Sequence, residues 1–111
     1  MQWYERVIAA HREAAEGSES VSHGGRMKSE RYFVWMEDGT NDLLAENQHT
    51  ESAVTGYTDL FTKREFDPWA ARLGPALSRY GMCWSLRDVQ YEPETGFWHH
   101  TWDWEALYGD N

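Results

Sequence analysis

RYFVWMEDGTN, residues 31–41, joins an aromatic and β-branched run to a charged turn signal. Tyr32, Phe33, Val34 and Trp35 suit a pleated, half-buried surface, and six residues between charges are too few for a helix. Arg31–Met36 is therefore expected as the first central strand. In Glu37–Asn41 the Asp38-Gly39 pair tolerates positive φ, so a hairpin turn is expected there.

Downstream, Asp42–Ser52 is compatible with a short strand or a helical turn through Leu43, Leu44 and Ala45, and its pattern leaves both open. Ala53–Lys63 alternates. Val54, Gly56, Thr58 and Leu60 share one face and Thr55, Tyr57, Asp59 and Phe61 the other, as in a strand with two unlike surfaces. Asp67-Pro68 is a helix start: the Asp side chain accepts from free amides, and proline at the first position forfeits no hydrogen bond. Trp69, Leu73, Leu77 and Tyr80 form the apolar stripe of that helix, and Gly81 suits its left-handed stop. Pro75 removes the bond to Ala71, which predicts a kink or a helix that restarts at Gly74.

The remaining segments read as follows. Met82–Tyr91 is a strand in which Met82, Trp84 and Leu86 keep one phase and Val89 and Tyr91 the other, placing a bulge near Arg87 and Asp88. Glu92–Gly96 is a turn, and Phe97–Glu105 returns as a strand with Trp98, His100, Trp102 and Trp104 on one face. Upstream, Trp3, Tyr4, Val7, Ile8, His11 and Ala14 recur at helical spacing, with Glu5, Arg6, Arg12 and Glu13 on the wet side. Glu16–Arg26, rich in Gly and Ser, is expected as a mobile loop. The sum is an α+β fold: an antiparallel sheet of about four to five strands with two helices packed on one face. The length of 111 residues fits a single domain over 1–111, without internal repeat or linker.

Nineteen Asp and Glu against 10 Lys and Arg give a net charge of −9, which disfavours direct nucleic-acid binding and anionic membranes. A single cysteine, Cys83, excludes an internal disulfide and suits a reducing cytoplasm, where it is expected to pack among Met82, Trp84 and Leu86. The charge-punctuated N-terminus has no signal-peptide core, and no apolar stretch is long enough to span a membrane.

The search for chemistry returns little. His99 and His100 are adjacent in a strand, so they face opposite ways and cannot share one ion. Asp38, Asp42 and Glu46 lack the spacing of a calcium loop. Cys83 has no nucleophile signature beside it, and there is no phosphate loop or dinucleotide fingerprint. No catalytic residue, metal or cofactor is expected. The tryptophans at 84, 98, 102 and 104 are expected mainly as core, although an exposed set would stack on sugars or on a partner.

The middle of the chain, YFVWMEDGTNDLLAENQHTESAVTGYTDLFTKREFDPW (32–69), resembles the tail terminator or tail-to-head joining proteins of long-tailed bacteriophages and prophages. In that group an N-terminal helix precedes a YFVW-type strand and acidic turn, then a strand ending like DLFTK, a helix and a C-terminal hairpin. The resemblance implies a non-catalytic virion subunit of the tail or neck, assembled in the host cytoplasm. It also implies a ring, commonly hexameric, that contacts the tail tube protein and the head-completion or connector protein. On that reading Tyr57, Asp59, Phe61 and Lys63, with Glu37 and Asp38, form the contact surface, and an acidic lumen lets DNA pass. Two other readings stay open: an acidic DNA mimic that blocks a basic enzyme, and a carbohydrate binder or small hydrolase on the tryptophan face.

Overall fold

The protein, described here from a computed structural model, is seen over residues 1–42 and 52–108, the side chains of 41 and 42 excepted. Its elements run α1 (Trp3–Ala15), β1 (Val21–His23), β2 (Arg31–Asp42), β3 (Ser52–Thr62), α2 (Pro68–Arg79), β4 (Cys83–Glu92) and β5 (Phe97–Leu107). The five strands form one sheet in the order β1-β2-β3-β5-β4, antiparallel except for the parallel pair β1–β2. The fold is α+β, with both helices packed on one face of the sheet.

Three sequence expectations need correction. The Asp38-Gly39 pair is no turn: β2 continues to Asp42, paired with Ser52, and the extra residue is absorbed as a bulge between Glu37 and Gly39. The long ladder to β3 decides this, because every further pair satisfies two strands' backbone groups, whereas an early turn would leave them unpaired. The loop expected over Glu16–Arg26 contains β1, whose register Val21↔Phe33 to His23↔Trp35 makes the sheet mixed. The ambiguous segment 42–52 lies, apart from its two paired end residues, outside the described residues.

Helix α1 begins with a capping box in which the Gln2 amide donates to Glu5 Oε1 at 2.7 Å, and it closes on Glu16 in the left-handed region. Arg6, assigned from its charge to the wet side, is instead buried. Its guanidinium donates to the Tyr80 and Leu107 carbonyls, binding the first turn of α1 to the ends of α2 and β5. Tyr4, counted with the apolar stripe, is 45% exposed. Helix α2 runs continuously from Pro68 to Arg79 through Pro75 and does not restart at Gly74. Pro75 and Ala71 are both exposed, so water can take the carbonyl that the missing amide leaves free. Gly81, at φ 83°, supplies the left-handed stop, with the Met82 amide donating to the Leu77 carbonyl at 3.0 Å.

The main core lies between helices and sheet: Val7, Ala10 and Ala14 of α1 and Leu73 and Leu77 of α2 meet Phe33, Trp35, Leu60, Trp102 and Trp104. As the alternation predicts, Val54, Gly56, Thr58 and Leu60 all face it and are buried. A smaller cluster on the opposite face joins Tyr32, Val34 and Phe61, with Met27 and Phe97 packed against it.

Candidate functional site

Two buried polar nodes hold the helices to the sheet. Val7 O can only accept, so His11 donates to it from Nδ1 (2.7 Å), and its Nε2 then accepts the Thr58 hydroxyl (2.7 Å). Trp104 Nε1 donates to the same hydroxyl oxygen at 2.9 Å. Complete burial lowers the His11 pKa to about 4, so the ring is neutral at neutral pH. The second node is Asp67, the N-cap of α2. It accepts from the Trp69 amide (2.9 Å), the Thr62 hydroxyl (2.7 Å) and both faces of the Arg31 fork, with Nε at 2.8 Å. Burial pushes this carboxyl up, but the bonds from Arg31, Thr62 and Trp69 outweigh it and hold the pKa below the usual value. Arg31 also lies over the Trp69 ring, 3.8 Å from its centroid. Both nodes are structural, since the hydrogen bonds just named all run between groups of the protein itself.

The candidate contact residues are divided by the structure. Tyr57, Asp59 and Phe61 share the sheet face away from the helices, but their strand is the central one, so it has no free backbone edge. Phe61 is only 4% exposed, stacked with Tyr32 and His99 and capped by the Arg26 guanidinium 4.2 Å from its centroid. Asp59 accepts from His99 Nε2 (3.0 Å) and from the Thr101 hydroxyl (2.8 Å). Lys63 donates to the Thr95 carbonyl and lies over Phe97, tying β3 to the β4–β5 turn. The bulge parts Glu37 from Asp38: Glu37 reaches His23 at 2.7 Å, a bond that lowers the Glu37 pKa, while Asp38 accepts from Thr55 at 2.7 Å. Asp38 and Lys63 are exposed, Tyr57, Asp59 and Glu37 are half-buried, and Phe61 is buried.

His99 and His100 do face opposite ways. His100 is buried against Trp102, its pKa lowered by burial despite the nearby Asp67 charge, and its Nε2 has no partner among the described residues. Cys83 is exposed on β4, contrary to the packed position expected for it, because it pairs with Glu105 on the sheet face away from the helices. Among the described residues no three His, Cys, Asp or Glu side chains are grouped as metal ligands would be. No helix among them is long and apolar enough to cross a membrane.

Sequence reasoning missed the surface that most distinguishes this molecule. The bulge between Leu86 and Asp88 puts Trp84, Leu86, Val89 and Tyr91 in register with Trp104, Trp102, His100 and Trp98, hence all on the helix side. The phase change predicted this bulge. Their exposure was not predicted: the four remain 39–51% exposed on the strand at the sheet's edge. Between α2 and β4 runs an open groove of about 450 Å³ lined by Ala70, Gly74, Pro75, Trp84, Leu86 and Val89. At its end stands Phe66, 89% exposed, with its backbone in the left-handed region at φ 57°.

No protein-family model matches the chain, and no curated protein matches it significantly. Among solved structures it is similar to a chain from the "Virion of native gene transfer agent (GTA) particle", with a TM-score of 0.58 at 9% identity. The likeness covers 96% of this chain and 91% of that one, so the two share the whole fold.

Proposed function

We propose that this chain is a non-catalytic structural subunit of a phage-type particle, acting in the tail or neck as a ring-forming tail terminator or tail-to-head joining protein. The observation that carries the reading is the end-to-end likeness to a chain of a phage-like virion, 96% of one against 91% of the other. The sequence resemblance of residues 32–69 to tail-completion proteins points the same way.

The molecule's surfaces support an assembly role. Its polar nodes are engaged internally, while β4 is a ten-residue strand that, among the described residues, forms the sheet's edge and carries an exposed apolar row. Tyr57 and Asp38 offer polar contacts on the opposite face. The partners proposed are other copies of the chain, the tail tube protein and the head-side connector, with DNA passing an acidic lumen without specific contact. Native mass spectrometry and negative-stain imaging of concentrated protein, alone and with tail tube protein, test this. Closed rings or tube-capping particles are expected; a monomer under both conditions would contradict it.

A further inference from the structure

The two edges of the sheet are unlike. Among the described residues β1 closes one edge with three residues, Val21–His23, whereas β4 forms the other with ten, Cys83–Glu92. Within those residues β4 pairs with β5 alone, so the backbone groups on its outer side are left for water or for another strand. An edge of this length without proline is a template for a further strand.

The strand's own pattern identifies the partner. Its register with β5 puts Trp84 and Leu86, before the bulge, and Val89 and Tyr91, after it, on the helix side. Ser85, Asp88 and Gln90 lie on the other face, and so does Arg87, whose Nε donates to Asp103 there at 3.0 Å. The bulge thus makes the order of faces the same in either direction from the Arg87–Asp88 step. Laid antiparallel against a second copy of itself over its full length, β4 meets a residue of the matching face at every position. In a regular ten-residue strand the same pairing would set each residue against one of the opposite face.

We propose that β4 is a two-fold self-pairing edge, through which two copies join their sheets antiparallel with the axis at the Arg87–Asp88 step. Trp84 then lies opposite Tyr91 of the second copy and Leu86 opposite its Val89, each pair occurring twice, and the exposed row becomes one shared apolar strip. On the other face Arg87 lies opposite Asp88 and Cys83 opposite Glu92, so no like charges oppose each other across the seam. Phe66 lines the α2/β4 groove together with Val89 and is partly covered when Leu86 of the second copy arrives beside Val89. The contact closes on itself after two copies, so it goes beyond the ring-forming reading and does not rest on it.

The chain's single cysteine, Cys83, is exposed at one end of β4 and lets the unmutated protein be tested. With a nitroxide on Cys83, double electron–electron resonance should read about 30 Å between copies, because pairing with Glu92 sets the two labels nearly a strand length apart. Sedimentation of the unlabelled protein should show a dimer. Leu86→Lys and Val89→Asp, at positions 51% and 43% exposed, should each weaken that dimer at least about tenfold by setting a charge against an apolar partner. The double variant should regain most of the loss, because in this register the two new charges face each other twice. Circular dichroism checks that the variants fold, and the label distance needs no substitution. A monomer at every concentration, a distance far from about 30 Å, or a double variant as weak as the single ones would overturn the proposal. Rings formed with tail tube protein in the absence of this dimer would remove the β4 contact and leave the ring reading standing; the dimer without rings would do the reverse.

Discussion

Strands β4 and β5 are the two arms of one hairpin and both carry large apolar residues on the helix side, yet one row is core and the other surface. Trp102 and Trp104 of β5 are 3% and 2% exposed; Trp84 and Leu86, directly opposite them on β4, are 39% and 51% exposed. Composition does not separate the two arms. What separates them is the position of two helices over a five-stranded sheet, which bury the inner strands and leave the edge open. Burial of apolar side chains in this molecule follows sheet order, and an apolar row left outside is available for a partner.

The same contrast sets an order of mutational effects. The largest is expected at the buried side of α2, where Asp67→Ala removes a helix cap and leaves Arg31 without its partner in a site only partly open to water. A loss of about 3–4 kcal/mol is expected in urea unfolding followed by tryptophan fluorescence. The pH dependence has a definite sign. The folded-state pKa of Asp67 is depressed, so its contribution is present above the usual carboxylate range and is lost as pH falls through the depressed value. Asp67→Asn should remove that part of the acid transition.

Next comes the β5 side. Thr58→Val keeps shape but strands His11 Nε2 and the Trp104 indole N–H, each buried, for a cost of about 2–3 kcal/mol. His11 adds its own acid sensitivity: with a folded pKa of about 4 against 6.5 unfolded, it takes up its proton first in the unfolded chain. Stability should therefore fall by up to about 1.4 kcal/mol per unit as pH drops from 6.5 towards 4, and be insensitive to this group above 6.5. A His11→Gln chain should lack that slope in pH-dependent denaturation curves.

The sharpest comparison is a pair of glycine substitutions with the same initial clash. A Cβ on Gly56 would lie 2.3 Å from Trp104 and 2.6 Å from the Met36 carbonyl, and one on Gly74 would lie 2.3 Å from Trp84. Trp104 and the backbone cannot give way, so Gly56→Ala is expected to cost about 2–3 kcal/mol. Trp84 is partly exposed and can swing outward. Because alanine also favours the helix by about 1 kcal/mol, Gly74→Ala should leave stability within about 1 kcal/mol of the parent. Equal losses at the two sites, read from thermal or urea midpoints, would mean that β4 is held as rigidly as β5.

Much of this architecture was legible in local sequence. Asp67-Pro68 announced the α2 cap, Gly81 its end, and the phase change between Leu86 and Val89 the bulge, because each depends on groups close together in the chain. What escaped depends on distant residues. The three residues of β1 have no periodicity of their own and are a strand because β2 lies beside them. Asp38-Gly39 looked like a turn until the pairing of β2 with β3 carried the strand past it. Arg6 and the His11–Thr58–Trp104 node join positions far apart in the chain, and nothing local in either partner signals the other. For the proposed surface, the sequence located the aromatic residues but not their exposure, which only the placement of α2 reveals.

Hydroxyl-radical footprinting, read by mass spectrometry on dilute and assembled protein, tests the division between core strand and contact strand most directly. In dilute protein Phe66, Trp84 and Leu86 should oxidise rapidly while Trp102 and Trp104 stay intact, and on assembly the first three should become protected. Equal oxidation of the two strands in dilute protein, or assembly that leaves Phe66, Trp84 and Leu86 as reactive as before, would contradict it.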